Sequence, residues 1–152
     1  MPAGSDASLP RTWRPLGVRL AATACGVMLV VICTFAWFGF DESIRERFTL
    51  FQKSTIAFLG LLAFAVGHAL ARSRVEARAD VLLVVNGYRY RRLAWPQVVA
   101  VRMPPGSPWA SLDLSDGTTV PVMGIQGSDG ARARAAVREL RGHVERLGAQ
   151  PG

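Results

Sequence analysis

The sequence predicts an α+β membrane protein: a two-helix transmembrane hairpin followed by a small antiparallel β-domain capped by a C-terminal helix. Three observations predict it. Residues 20–40, LAATACGVMLVVICTFAWFGF, hold no charged residue, and residues 54–71, STIAFLGLLAFAVGHALA, hold none unless His68 is protonated. Beyond Arg72 the pattern changes to short alternating segments broken by turn residues, and then to one amphipathic stretch at helical spacing.

Length and composition limit what surrounds these runs. With 152 residues and two stretches committed to lipid, one modest soluble domain is left. The net charge of +7 comes almost wholly from arginine, Lys53 being the only lysine. Basic charge beside a membrane marks the face toward anionic lipid headgroups more readily than a nucleic-acid site, and no nucleic-acid partner is expected. Cys25 and Cys33 both lie within the first apolar run, where they act as small hydrophobes.

Residues 1–19 carry glycine, serine and three prolines, and are expected to be a flexible leader up to about Thr12. Trp13 is placed to sit at headgroup level, as aromatic belts do. Residues 20–40 form the first span, since about 21 residues at 1.5 Å each cover the roughly 30 Å of a bilayer core. A cleaved signal peptide is the rival. Its apolar region runs only about 7–15 residues, and no small-x-small site follows Phe40. A lipoprotein reading of Cys25 fails because the apolar run follows that cysteine.

Residues 41–53, DESIRERFTLFQK, make a connecting loop whose six charges cancel. Residues 54–71 form the second span, at the short end of the range, with a buried core helix as the other reading. The leader holds Arg11, Arg14 and Arg19, and the segment after the second span holds Arg72, Arg74, Arg78, Arg89, Arg91 and Arg92. The connecting loop holds only Arg45, Arg47 and Lys53, so the positive-inside rule places both termini in the cytoplasm of a two-span plasma-membrane protein. His68 is the titratable residue of the spans besides the cysteines, which makes a proton or metal role one reading; it also lies one turn from Arg72, where it reaches the interface. Ala63, Gly67 and Ala71 form a small-xxx-small row suited to close helix packing.

The β-domain spans 75–147. Residues 81–85 and 88–94 read as a hairpin around a two-residue type I′ turn at Asn86-Gly87, pairing Val85 with Tyr88, Leu83 with Tyr90 and Val81 with Arg92. That set is expected to face the core, leaving Leu82, Val84, Arg89 and Arg91 on the other face. The arginine stems either cover the two aliphatics or form with them a basic-apolar patch for the bilayer or a protein partner. Trp95-Pro96 ends the hairpin, because proline cannot continue a ladder. Residues 98–103 make a third strand and 104–108 a turn. Residues 109–114 and 118–123 make a second hairpin around Ser115-Asp116-Gly117, with Pro121 marking an edge strand or bulge. Five strands are visible.

Residues 124–130, GIQGSDG, place a glycine every third position ahead of a helix. Backbone N–H groups there suit a phosphate, but the phosphate-loop signature is missing and Asp129 repels anions; Ser128 or Asp129 as helix N-cap is the better account. From 131 to 147 the stripe Ala133, Val137, Leu140, Val144 and Leu147 opposes Arg132, Arg134, Arg138, Arg141 and Arg146. This helix packs on the sheet, or else lies on the membrane surface. Residues 148–152 are expected to be a flexible tail.

Two spans followed by an Asn86-Gly87 hairpin, Trp95-Pro96-Gln97-Val98, an Asp116-Gly117 hairpin and a terminal helix resemble the small bacterial PH-like domain membrane proteins. These are typical of actinobacteria, and their domain family is named for a low-molecular-weight protein antigen. The resemblance covers 75–147 and implies a PH-like sheet or barrel, strongly bent and closed at one end by the C-terminal helix. A full PH domain has seven strands, two more than are visible here. Phosphoinositide-binding members use a basic loop between their first two strands, where this chain has only Asn86-Gly87. The resemblance implies no catalytic residues.

A search for chemistry agrees. The sequence has no His/Cys cluster at metal spacing, no nucleophile elbow and no Walker loop, and Asp80, Asp113, Asp116, Glu139 and Glu145 are scattered. The expectation is a protein without catalysis, metal or cofactor, presenting a protein- or lipid-contacting module at the cytoplasmic membrane surface. The alternative is a small subunit of a transport or envelope-assembly complex acting through its spans, with His68 and the Ala63, Gly67, Ala71 row as the features that matter. A domain outside the cell follows if the topology is reversed.

Overall fold

The computed structural model describes residues 9–149; the expectations for residues 1–8 and 150–152 lie outside them. The chain runs β1 (Arg11–Trp13), α1 (Leu16–Gly39), α2 (Glu42–Arg47), α3 (Leu50–Arg72), β2 (Arg74–Ala77), β3 (Val81–Asn86) and β4 (Arg89–Ala94). A 3-10 turn (Trp95–Gln97) leads to β5 (Val98–Arg102), β6 (Trp109–Leu114) and β7 (Thr119–Gln126), and a second 3-10 turn (Gly127–Asp129) leads to α4 (Ala131–Gly148). The seven strands form two antiparallel sheets, ordered β1-β2-β3-β4 and β5-β6-β7.

Helices α1 and α3 are long and apolar enough to cross a membrane, and neither buries a residue. A soluble core helix hides an apolar stripe; here the apolar surface runs all round, so the core-helix reading of the second run does not hold within this chain. The two helices pack on each other, with Gly67 opposite Ala22, where a Cβ on the glycine would lie 3.8 Å from the alanine methyl. Ala63 is exposed and Ala71 half-buried. The connecting segment contains the short helix α2, and Thr49 and Gln52 close a reciprocal capping box at the start of α3.

The leader is the first correction. Residues 11–13 form strand β1, which pairs with β2 in the register Arg11 with Ala77, Thr12 with Glu76 and Trp13 with Val75. Trp13 lies in the core, only 8% exposed, instead of at headgroup level. The hairpin of α1 and α3 is therefore an insertion between two neighbouring strands of one sheet. Strands β1 and β2 are the two missing from the five legible in the sequence.

The β3-β4 hairpin is the second correction. Its turn is Gly87-Tyr88, and the pairs are Val85 with Tyr90, Leu83 with Arg92 and Asn86 with Arg89. The offset of two residues keeps the expected sharing of faces, but the core lies on the opposite one: Leu82 (0%), Val84 (1%) and Leu93 join the hydrophobic cluster. Leu83 and Val85 are also buried, yet outside that cluster, and stand opposite Glu76 and Arg92, and Arg74 and Tyr90, in the ladder. The turn is displaced because Asn86 is extended and its side chain is used elsewhere. Its Nδ2 donates to the Pro121 carbonyl (2.6 Å) and its Oδ1 accepts from the Met123 N–H (3.0 Å). Asn86 thus ties the first sheet to the outer edge of β7, where Pro121 has no N–H of its own. Gly87 takes the positive φ of +62°.

Strand β6 has the expected bounds, and β7, an edge strand as Pro121 indicated, continues through Gly124 to Gln126. A side chain on Gly124 would come within 2.7–2.8 Å of the Arg74 and Val75 backbone, so this glycine lets β7 cross β2 closely. The α4 stripe of Ala133, Val137, Leu140 and Val144 is buried against the sheets with Leu147 at its margin, which settles that helix onto the sheet and off the membrane surface.

Candidate interaction surface

Three contacts fix how the β-domain meets α1 and α3. At the end of α3, Ser73 is fully buried; its hydroxyl donates to the Ala69 carbonyl (3.2 Å) and accepts the Gly87 N–H (3.0 Å). The Tyr88 hydroxyl donates to the Ala65 carbonyl (3.1 Å), so His68 Nδ1, 3.2 Å away, serves it as the donor. His68 therefore meets Tyr88 at the end of the helix, and a shallow cleft of about 290 Å³ lies beside it, lined by Ala69, Leu70, Ser73, Asn86, Arg89 and Met123 among others.

At the start of α1, Pro15 occupies the N-cap position and offers no side-chain acceptor. Asp129 supplies it: its carboxylate accepts the N–H groups of Leu16 (3.1 Å) and Gly17 (2.9 Å). An anion at a helix N-terminus meets both the orphan donors and the positive end of the dipole. Ser128 or Asp129 was expected to cap α4; neither does, since Asp129 caps α1 and the N-cap position of α4 is Gly130, without a side-chain cap. The third contact is Glu139 on α4, which accepts Trp13 Nε1 (3.1 Å) and pairs with Arg11 Nε (2.9 Å), pinning β1 to the helix. A cleft of about 360 Å³ beside it is lined by Arg11, Arg14, Arg132, Asp129 and Glu139, so both signs of charge face it.

The interaction residues expected from the sequence divide here. Leu82 and Val84 lie in the core and present no surface. Arg89 and Arg91 are exposed on β4, together with Tyr90 (70%) and Arg92. β4 is the outer strand of its sheet. Among the described residues the ion pairs are Arg11 with Glu139, Arg74 and Arg78 with Glu76, and Arg102 with Asp113; none involves a β4 arginine. Arg74 and then Arg78 hold the Glu76 carboxyl below its usual range by hydrogen bonding to it. Asp116 is also lowered, chiefly by the Thr118 hydroxyl and N–H in its turn and least by the charge of Arg91.

Glu139, Asp129, Tyr88 and Asn86 went unrecognised as contact residues in the sequence. One signal was available: a proline at the start of a long apolar helix leaves its first N–H groups without a local acceptor.

The profile described as Bacterial PH domain matches residues 72–143, taking in β2 to β7 and most of α4 but not β1. Relatives described as uncharacterized proteins, from Mycobacterium bovis and from two strains of Mycobacterium tuberculosis, are 31% identical over 144 residues, covering 93% of this chain and 90% of each relative. The uncovered remainder is too short to hold either apolar helix, so the likeness extends over the hairpin as well as the domain. No solved structure matches. With two apolar helices, seven strands in two antiparallel sheets and a closing C-terminal helix, the chain belongs to the bacterial PH-domain family.

Proposed function

We propose that the chain is a non-enzymatic integral membrane protein of the plasma membrane. Its apolar hairpin crosses twice, both termini face the cytoplasm, and the PH-like module is held against the inner surface as a contact site for a protein partner or anionic lipid. The observation that carries this reading is the insertion of the hairpin between β1 and β2. Neighbouring strands of one sheet flank the hairpin, so both its ends lie on one side, as two crossings require. Exposed apolar surface all round both helices supports lipid as their solvent. The arginine excess at that end supports a cytoplasmic module.

Topology is tested with single cysteines at Ser43 and Ser115, both exposed, after Cys25 and Cys33 are replaced. In intact cells a membrane-impermeant maleimide is expected to label Ser43→Cys and not Ser115→Cys. Labelling at Ser115→Cys alone places the module outside, and labelling at neither or both removes the two-span reading.

A further inference from the structure

We propose that the outer edge of β4 accepts an extended acidic segment of a partner protein as an added strand. This rests on the cytoplasmic placement of the module, and it names the partner's chemistry. The two-residue turn at Gly87-Tyr88 makes Asn86 and Arg89 the closing hydrogen-bonded pair, and hydrogen-bonded pairs then alternate at Val84 with Arg91 and Leu82 with Leu93. Those residues turn their backbone groups toward β3. Tyr90 and Arg92 turn theirs outward, where no strand of either sheet pairs with them. The next outward N–H, that of Ala94, is already taken by Gln97 Oε1 at 2.9 Å, so the open edge ends there. What remains is a stretch of two donors and two acceptors, the pattern an extended peptide pairs with.

The side chains select the occupant. Arg89 and Arg91 stand on one face of the strand and Tyr90 and Arg92 on the other, all exposed, and no ion pair among the described residues uses these arginines. A second copy of this chain adding its own β4 would bring the same charges opposite one another, which disfavours pairing. A strand with carboxylates at alternate positions meets an arginine on either face. The bilayer is the poorer fit: Tyr88 meets the end of α3, and at about 3.3 Å per residue Arg92 lies about 13 Å along the strand from that contact.

The test uses the full chain in nanodiscs of zwitterionic lipid and two fluorescent octapeptides, alternating glutamate with valine and lysine with valine. The glutamate peptide is expected to bind at least about tenfold tighter and to slow hydrogen exchange at the Tyr90 and Arg92 amides. Tyr90→Pro removes an outward donor without breaking the ladder to β3, and is expected to weaken binding at least about fivefold at an unchanged thermal midpoint. Should that variant lose its fold, Arg91→Gln with Arg92→Gln must weaken binding alike. Equal affinity for both peptides overturns the proposal, as does binding without protection of the two amides, which is charge attraction alone. Flotation with anionic vesicles that depends on Arg92 overturns it in favour of lipid. Labelling from outside at Ser115→Cys would defeat the cytoplasmic reading while leaving these affinities as measured, so the two failures are distinguishable.

Discussion

His143 is the most enclosed titratable side chain of the domain, 1% exposed, between the indoles of Trp13 (6.0 Å) and Trp95 (6.2 Å). The Arg146 guanidinium, 3.2 Å from Nδ1, can only donate, so Nδ1 accepts and the proton sits on Nε2, which has no partner among the described residues. Burial first, and then the charges of Arg146 and Arg11, hold its pKa below the ordinary 6.5, with Glu139 opposing. A lowered folded-state value means that the unfolded chain binds the proton more tightly. The contribution is then complete above about pH 6.5 and is lost as pH falls from there through the folded value. The thermal midpoint in detergent is expected to drop between pH 7.5 and 5.5, and His143→Phe to flatten that drop; an unchanged pH dependence in the variant would refute the assignment. At this scale the sequence was least informative. Asn86 carried the strongest local turn signal in the chain, and Asp129 the usual mark of an adjacent cap, yet both spend their side chains on distant backbone: Asn86 on β7, Asp129 on α1. Local propensity describes what a residue does without tertiary competition, and here long-range acceptors and donors won.

Elements with a strong period were legible: β6 has the expected bounds, the α4 stripe packs as its spacing required, and both apolar runs are helices, longer than the runs themselves. Strand β1 was not, because three residues carry no alternation and its partner β2 lies about 60 residues away across the hairpin. The hidden face of β3 misled for a related reason. VLLVV is apolar on both sides, so its composition left the choice of core face to β2 and α4. Trp13 is what makes β1 more than a tail, joining the core while its Nε1 reaches Glu139. Trp13→Ala is expected to cost about 3–5 kcal/mol, the range for removing a buried large aromatic, read as a lower denaturation midpoint of the β-domain at unchanged helical signal. A loss below about 1 kcal/mol would mean that β1 is only loosely attached.

The whole molecule is a PH-like domain with an apolar hairpin inserted between its first two strands, clamped at both ends. Asp129 holds the start of α1, and Ser73 and Tyr88 hold the end of α3. A module fixed in this way is held in one orientation to the hairpin, and the outer edge of β4 is paired with no other strand, which is where the proposed partner strand is added. The decisive measurement is a cross-link between β1 and β2. Thr12 and Glu76 are directly opposite in the ladder, within the Cα separation a disulfide bridges. Cysteines are placed at both, Cys25 and Cys33 are replaced, a protease site is put between α1 and α3, and isolated membranes are oxidised, solubilised and cut. The two fragments are expected to stay joined on a non-reducing gel and to part when reduced; fragments that separate without reductant would show that residues 11–13 do not belong to the sheet and that the hairpin is tethered at one end only.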